Sequence, residues 1–274
     1  MNRVPETSRP GAAPFTERTP RVVAARRLQR RRYRDAERRF LAEGPRAVRE
    51  ALAAGVVVGV FATTDVELAG ADVPIWRVTD KAMESLTETV TPQGVVAVCE
   101  RRDTSLAAVL TARPRLLAGL AEVRDPGNAG TVLRTADAAG AAAVWFTERS
   151  VDPYNGKGVR ASAGSLFHVD IAVGGTALGG IAELRESGLQ VLAAAADGET
   201  DLDELTDAGM LAAPTAWLFG SEAHGLPPDV AAAADLRVRV PIYGGAESFN
   251  LAAAAAVCLY ASARAQRRTL GATS

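Results

Sequence analysis

Apolar runs recur at a regular spacing through the second half of the chain, and most are followed by a helical pattern. LLAGLAEV (116–123), AAVWFT (142–147), VDIAV (169–173), LQVLAAAA (189–196), TAWLFG (215–220) and LRVRVPI (236–242) alternate with helix-like stretches over 128–139, 176–186, 201–208 and 227–234. Strands joined by crossover helices run side by side in one direction, because tight turns join only antiparallel neighbours. The pattern predicts an α/β fold, a parallel sheet flanked by helices on both faces. The last element, FNLAAAAAVCLYASARAQRR, reads as a long helix whose basic end suits the helix dipole. In such sheets ligands gather in loops beyond the carboxyl ends of the strands.

The first half reads differently. Residues 1–20 are rich in Pro and Thr and are expected to form a flexible tail. RTPRVVAARRLQRRRYRDAERR (18–39) is dominated by arginine, and Arg30, Arg31 and Arg32 form its densest point. The chain has only two lysines, so a GC-rich coding bias explains the choice of arginine, but it does not explain the clustering. A phosphate-binding arm does. Beyond it FLAEGPRAVREALAAG reads as a helix with Val48 and Leu52 on its apolar face, and VVVGVFATT, IWRVT and GVVAVCE read as short strands around a helix at DKAMESLTE. The expected organisation is a small α/β domain over 21–103, a linker over 104–114 and a larger domain over 115–274.

Several classes are set aside by composition. The two cysteines and two histidines have no zinc-like spacing, so Cys99 and Cys258 are read as small buried hydrophobes and no metal site is expected. No G-x-S-x-G elbow, G-x-x-x-x-G-K-[ST] loop or G-x-G-x-x-G turn is present. MNRVPETSRP lacks the apolar core of a signal peptide, and LAAAAAVCLYASA is too short and alanine-rich to span a bilayer. A cytoplasmic protein with no membrane partner is expected.

Four strand-end loops concentrate the informative side chains. In DPGNAGTVLRTADAAG (125–140) Asn128 can cap the helix, while Val132, Leu133 and Ala136 form a buried face that leaves Arg134 outside it, free to pair with Asp137 or to act on a ligand. VDPYNGKGVRASAGSLF interleaves Asn155, Lys157 and Arg160 with glycines, as a phosphate-contacting loop or a solvated one would. LFGSEAHGLPPDV carries Glu222 and His224, and VPIYGGAESFN carries Ser248 and Asn250 at a helix start, where either polar residue also serves as a cap.

Taken in this order, PGNAGTVLRTADAAG, LFGSEAHGL and VPIYGGAESFNLAAAAAVCLY resemble the three signature motifs of the SpoU, or TrmH-type, RNA ribose 2′-O-methyltransferases of the SPOUT superfamily. The resemblance covers about 115–268, and the block before it is similar to that family's RNA substrate-binding domain. It implies a C-terminal trefoil knot, a homodimer with active sites near the interface, and an S-adenosylmethionine pocket made by Leu218, Phe219, Gly220, Ile242, Asn250 and Leu251. It implies Asn128, Arg134, Glu222, Ser248 and Asn250 around the reacting centre, with Arg160 on the RNA; Asn155 and Lys157 of the glycine-rich loop and Arg30 to Arg32 of the basic stretch are the further RNA-contact candidates. The activity it implies is methylation of a ribose 2′-hydroxyl in 23S ribosomal RNA, as in the actinomycete antibiotic-resistance enzymes. Transfer RNA as substrate, or a non-catalytic RNA-binding or assembly factor, are the alternatives. Many relatives carry Ser-Leu-Asn where this chain has Ser248-Phe249-Asn250, which changes an apolar anchor and keeps the polar pair.

Overall fold

A computed structural model describes residues 13–63 and 72–271. Along the chain the helices and strands begin with α1 (Pro20–Arg27), α2 (Arg31–Glu37), β1 (Arg39–Glu43), α3 (Pro45–Ala53), β2 (Val57–Ala62), β3 (Ile75–Arg77), α4 (Asp80–Leu86) and β4 (Val95–Glu100). They continue with α5 (Leu106–Leu110), β5 (Leu116–Leu120), α6 (Pro126–Ala139), β6 (Ala143–Phe146), α7 (Gly156–Ala161), β7 (Asp170–Val173) and α8 (Ala177–Glu186). The remainder are β8 (Gln190–Ala194), β9 (Thr200–Asp201), α9 (Leu202–Asp207), β10 (Thr215–Phe219), α10 (Pro228–Ala233), β11 (Leu236–Arg239) and α11 (Leu251–Gly271). The chain divides into two compact units, residues 1–101 with 154–167, and residues 102–153 with 168–274.

The first unit is a four-stranded mixed sheet in the order β1-β4-β2-β3, with β2 and β3 parallel and the other pairs antiparallel. One face is covered by α1 and α4 through Val22, Leu28, Met83 and Leu86. Phe40 to Ala42, expected to start a helix, instead form β1, because Pro45 opens α3 and the preceding residues are released to pair with β4. Phe40, Leu41 and Ala42 are all buried, so no alternation marked the strand. Of the expected tail, residues 1–12 lie outside the described residues. Phe15, by contrast, is held to the sheet, its N–H donating to Arg77 O (2.8 Å) and its carbonyl accepting from Thr79 N (2.9 Å).

The arginine-rich stretch is two helices, and its cations divide by job. Arg34 is 3 % exposed and donates to the Leu28 and Gln29 carbonyls at the end of α1. Arg21 lies over the Trp76 ring and Arg32 over Tyr33. Arg30, Arg31 and Arg32 are exposed. Residues 154–167, expected within the larger domain, pack in this first unit: Tyr154 and Phe167 lie against Phe40 at ring distances of 4.8 and 6.1 Å.

In the second unit seven parallel strands run β7-β6-β5-β10-β8-β11-β9, the parallel sheet that the alternating pattern predicts. One face is covered by α5, α8 and α10 through Leu106, Leu110, Ile181, Leu184 and Val230. On the other, α6 and α11 pack on each other and on β5, α11 also reaching β10. Trp217 of β10 is fully buried and donates from Nε1 to Ser262 Oγ of α11 at 2.9 Å. Both cysteines are free and fully buried, and burial pushes both thiols above their ordinary range. Among the described residues no helix is long and apolar enough to cross a membrane.

This strand order sets where a site can form. From β5 the chain steps outward to β6 and β7, then crosses to β8 on the far side and returns to insert β10 between β5 and β8. Such a reversal leaves a crevice beyond the carboxyl ends of the flanking strands. The segments leaving β5, β8, β10 and β11 all open there.

Candidate active site

Those segments surround a cleft of about 440 Å³. Its walls are Ala194 to Ala196 at and after the end of β8, Phe219, Gly220, Ser221, Glu222 and Gly225 at and after the end of β10, Val238, Val240 and Ile242 along and after β11, and Ser248 to Leu251 at the start of α11. The volume suits a cofactor-sized molecule, and the walls are apolar or small with few polar groups. Gly220 is required by close approach: a Cβ there would lie 2.0 to 2.2 Å from the backbone of Gly225 and Leu226. The turn 221–225 folds back on the strand end, with Ser221 and Gly225 exchanging backbone hydrogen bonds of 2.9 Å.

Three polar residues from distant loops join at this cleft. Asn128 Nδ2 donates to Glu222 Oε1 at 3.0 Å, and Asn250 Nδ2 donates to Asn128 Oδ1 at 3.2 Å. Asn250 Oδ1 accepts from Ala252 N at 2.9 Å, so this residue caps α11 and holds Asn128 at once. The chain of bonds fixes both amides in one orientation, since reversing either would set like groups against each other. Asn128 is not the cap of its own helix. Asp125 Oδ2 accepts from Asn128 N at 2.9 Å, which frees the Asn128 side chain for the cleft.

The remaining expected residues fall as follows. Glu222, Ser248, Asn250, Phe219, Gly220, Ile242 and Leu251 line the cleft. Leu218 does not; its side chain is buried in the core beside Trp145, leaving only its backbone near the strand end. His224 is exposed and does not line the cleft. Arg134 is exposed on α6, about 9 Å along the axis from Asn128, and does not line the cleft. It does not pair with Asp137, whose Oδ2 lies 2.9 Å from His168 Nδ1. Asn155 caps α7 through Lys157 N, Lys157 is exposed, and Arg160 is held by Glu43 and Glu88, all three in the first unit.

Sequence reasoning missed the alanine wall and its support. The signal was LAAAA, a strand end with no bulky residue beside a topological reversal. The turn after it is clamped to β11: Arg237 reaches Glu199 Oε1 and Asp197 Oδ2 at 2.6 Å each, and Arg239 Nη1 donates to the Gly198 and Glu199 carbonyls at 3.1 and 3.2 Å. The guanidinium of Arg237 holds the Asp197 carboxyl below its usual range, chiefly by hydrogen bonding. A Cβ on Gly198 would meet the Arg237 and Arg239 backbone at 2.8 Å, so turn and strand are in direct contact. Arg237 lies outside the cleft, and its ion partners are solvent-exposed and screened, so its effect is on order rather than stability. Arg237→Leu is expected to weaken binding of the cofactor that the motif resemblance implies for this cleft roughly 3- to 10-fold, with little change in melting temperature. Calorimetric titration checks this, and an unchanged Kd counts against the clamp.

Comparison with known proteins places this geometry. A family model described as the SpoU rRNA Methylase family matches residues 115–260, and one described as an MRM3-like substrate binding domain matches 19–97. The 23S rRNA (guanosine(2553)-2′-O)-methyltransferase RlmP of Bacillus subtilis is 34% identical over 239 residues, covering 86% of this chain and 92% of its own. An AdoMet-bound rRNA methyltransferase from Sinorhizobium meliloti superposes with a TM-score of 0.81 at 32% identity, covering 92% of this chain and 97% of that one. The SpoU methyltransferase AviRb from Streptomyces viridochromogenes, in complex with AdoMet, gives 0.80 at 27% identity over 92% and 99%.

Proposed function

The chain belongs to the SpoU rRNA methylase family, and from that premise we propose that it methylates a ribose 2′-hydroxyl of 23S ribosomal RNA. The observation that carries the reading is the hydrogen-bonded chain Glu222–Asn128–Asn250, which ties three separate motif loops together at one cleft. S-adenosylmethionine, when bound, supplies a methyl group activated on a sulfonium. The cleft fits it in size and wall chemistry: alanines and glycines let backbone approach closely, while Phe219, Val238 and Ile242 exclude water.

Positioning is the main catalytic contribution. Asn128, held from both sides, fixes the start of α6, and Ser248 and Glu222 offer the polar groups nearest the cleft. Arg134 is the residue we assign to the substrate. Its paired donors orient a phosphate and the hydroxyl, and the hydroxyl proton passes to solvent as the methyl leaves the sulfonium.

The same reading extends to assembly and substrate. Arg134 lies outside the cleft of its own chain, and α11 carries exposed Val257 and Tyr260 at 40% and 68% beside a groove of about 850 Å³. Both support a homodimer in which a second copy completes the site. The strand order β5-β10-β8-β11, with later strands inserted between earlier ones, supports the trefoil knot. Exposed Arg30, Arg31 and Arg32 support RNA binding by the first unit in a cytoplasmic enzyme.

The test is transfer of labelled methyl from S-adenosylmethionine to purified 23S rRNA, with the modified nucleotide mapped by its resistance to alkaline cleavage. Cofactor binding with no labelling of ribosomal RNA overturns the reading in favour of a non-catalytic factor, and labelling of transfer RNA alone moves the substrate. The resistance role that the actinomycete likeness implies is read by whether expression raises tolerance to ribosome-targeting drugs.

A further inference from the structure

The first unit contains a second pocket, of about 360 Å³, that the chemistry above does not use. It lies between the start of α3, the connection from α4 to β4, and α7; Gly44, Arg46, Thr89, Thr91, Gln93 and Arg160 are among its lining residues. At its floor is Glu43, whose side chain is only 7% exposed. Its Oε1 accepts from the Glu88 N–H at 3.0 Å. Its Oε2 is buried without a hydrogen bond. Arg160 Nη1 lies 3.1 Å from that oxygen, yet the hydrogen bonds of Arg160 go to Glu88 Oε2 at 3.4 and 3.5 Å.

Glu43 Oε2 is thus met by an ion pair alone, with no hydrogen bond of its own, and folded proteins rarely leave a buried carboxylate oxygen in that state without a reason. Burial pushes the Glu43 carboxyl up, against the Glu88 N–H and Arg160, which pull it down. The pocket mouth adds polar groups. The helix α3 starts at Gly44 with no side-chain cap, and the Thr89 and Thr91 side chains line the pocket. Charges balance across Glu43, Glu88, Arg46 and Arg160, so neither a free phosphate nor a cation is favoured. What fits is a flat, neutral, polar ring that presents a donor to Glu43 and an acceptor to Arg160 side by side.

The edge of every nucleobase presents such a pair, and unstacked bases are how proteins read RNA sequence. We propose that this pocket holds one unpaired nucleobase of the RNA substrate, Glu43 accepting from a ring N–H or amino group and Arg160 donating to the neighbouring carbonyl or ring nitrogen. This rests on the RNA-methylating reading above and adds a sequence-reading site remote in the chain from the methyl-transfer residues.

The test has two readouts. The common nucleoside 5′-monophosphates are titrated into the full chain and followed by NMR, with S-adenosylhomocysteine saturating the cofactor cleft so that nucleotide cannot enter there. At least one monophosphate is expected to bind in the millimolar range, and Glu43→Gln, which keeps size and removes the charge, is expected to lose it. In methyl transfer to 23S rRNA transcribed in vitro, Glu43→Gln is expected to raise the KM for RNA about 10-fold, with kcat and the S-adenosylmethionine Kd unchanged. Thr91→Val, at an exposed position, guards against a folding defect and is expected to weaken the same monophosphate about 3-fold. If no monophosphate binds, or if binding survives Glu43→Gln, the pocket is not a base site. If monophosphate binding behaves as expected while no RNA is methylated, the pocket stands and the methyltransferase reading falls.

Discussion

Arg134→Ala is expected to lower kcat by roughly 10²-fold or more, the order of loss when a reacting hydroxyl is no longer held in line with the methyl group. Arg134 is solvent-exposed and makes no ion pair with Asp137, so its removal leaves no buried partner and costs little stability. It does not line the cleft, so the affinity for S-adenosylmethionine is expected to stay the same. Arg134→Lys restores the charge without the planar fork and should recover only part of the rate. Single-turnover transfer to 23S rRNA measures both variants. A full rate for the alanine variant would remove Arg134 from the mechanism.

Gly220→Val acts at the opposite end of the same chemistry. The added side chain would collide with the Gly225 and Leu226 backbone, and backbone cannot swing aside as a flexible side chain does. The turn 221–225 must move, taking Ser221 and Glu222 with it, and Asn128 loses the acceptor for its amide. A displacement of this size is expected to weaken cofactor binding and transfer by about 100-fold or more. Calorimetric titration of S-adenosylmethionine reads it directly, and near-native affinity would show that the turn yields without disturbing the cleft.

The two variants together locate Arg134 relative to the cleft that it serves. If a second copy supplies the arginine, mixing the inactive variants builds hybrid dimers with one site intact in every part, and about a quarter of the wild-type rate returns. If each chain uses its own arginine, both sites of the hybrid are broken and nothing returns. The position of Arg134 outside its own cleft favours recovery.

Much of the second unit was legible because its physics is local. Parallel strands buried on both faces are continuous apolar runs, and TAWLFG and AAVWFT read as strands for that reason. The cleft's polar residues could be named from their motifs, but their bonding could not. Asn128 and Glu222 are 94 positions apart, and only the insertion of β10 between β5 and β8 brings them within a hydrogen bond. Asp125 displaced Asn128 as the cap because both are good caps and only one can occupy the position. The strand at Phe40 was missed because burial on both faces erases the period that separates strand from helix. The arginine cluster hid its internal division: nothing in RRYRDAERR marks Arg34 as the cation that faces inward to close α1.

Residues 154–167 give this molecule an unusual kind of indivisibility. They are encoded in the midst of the methyl-transfer half, yet Tyr154, Val159 and Leu166 are buried among residues of the amino-terminal body. No single scission point yields two intact halves: an amino-terminal fragment would lack its last piece, and a carboxyl-terminal one would carry greasy side chains with nothing to shelter them. Recombination that replaces the first unit therefore has to exchange two stretches of gene at once, which ties its inheritance to that of the second unit.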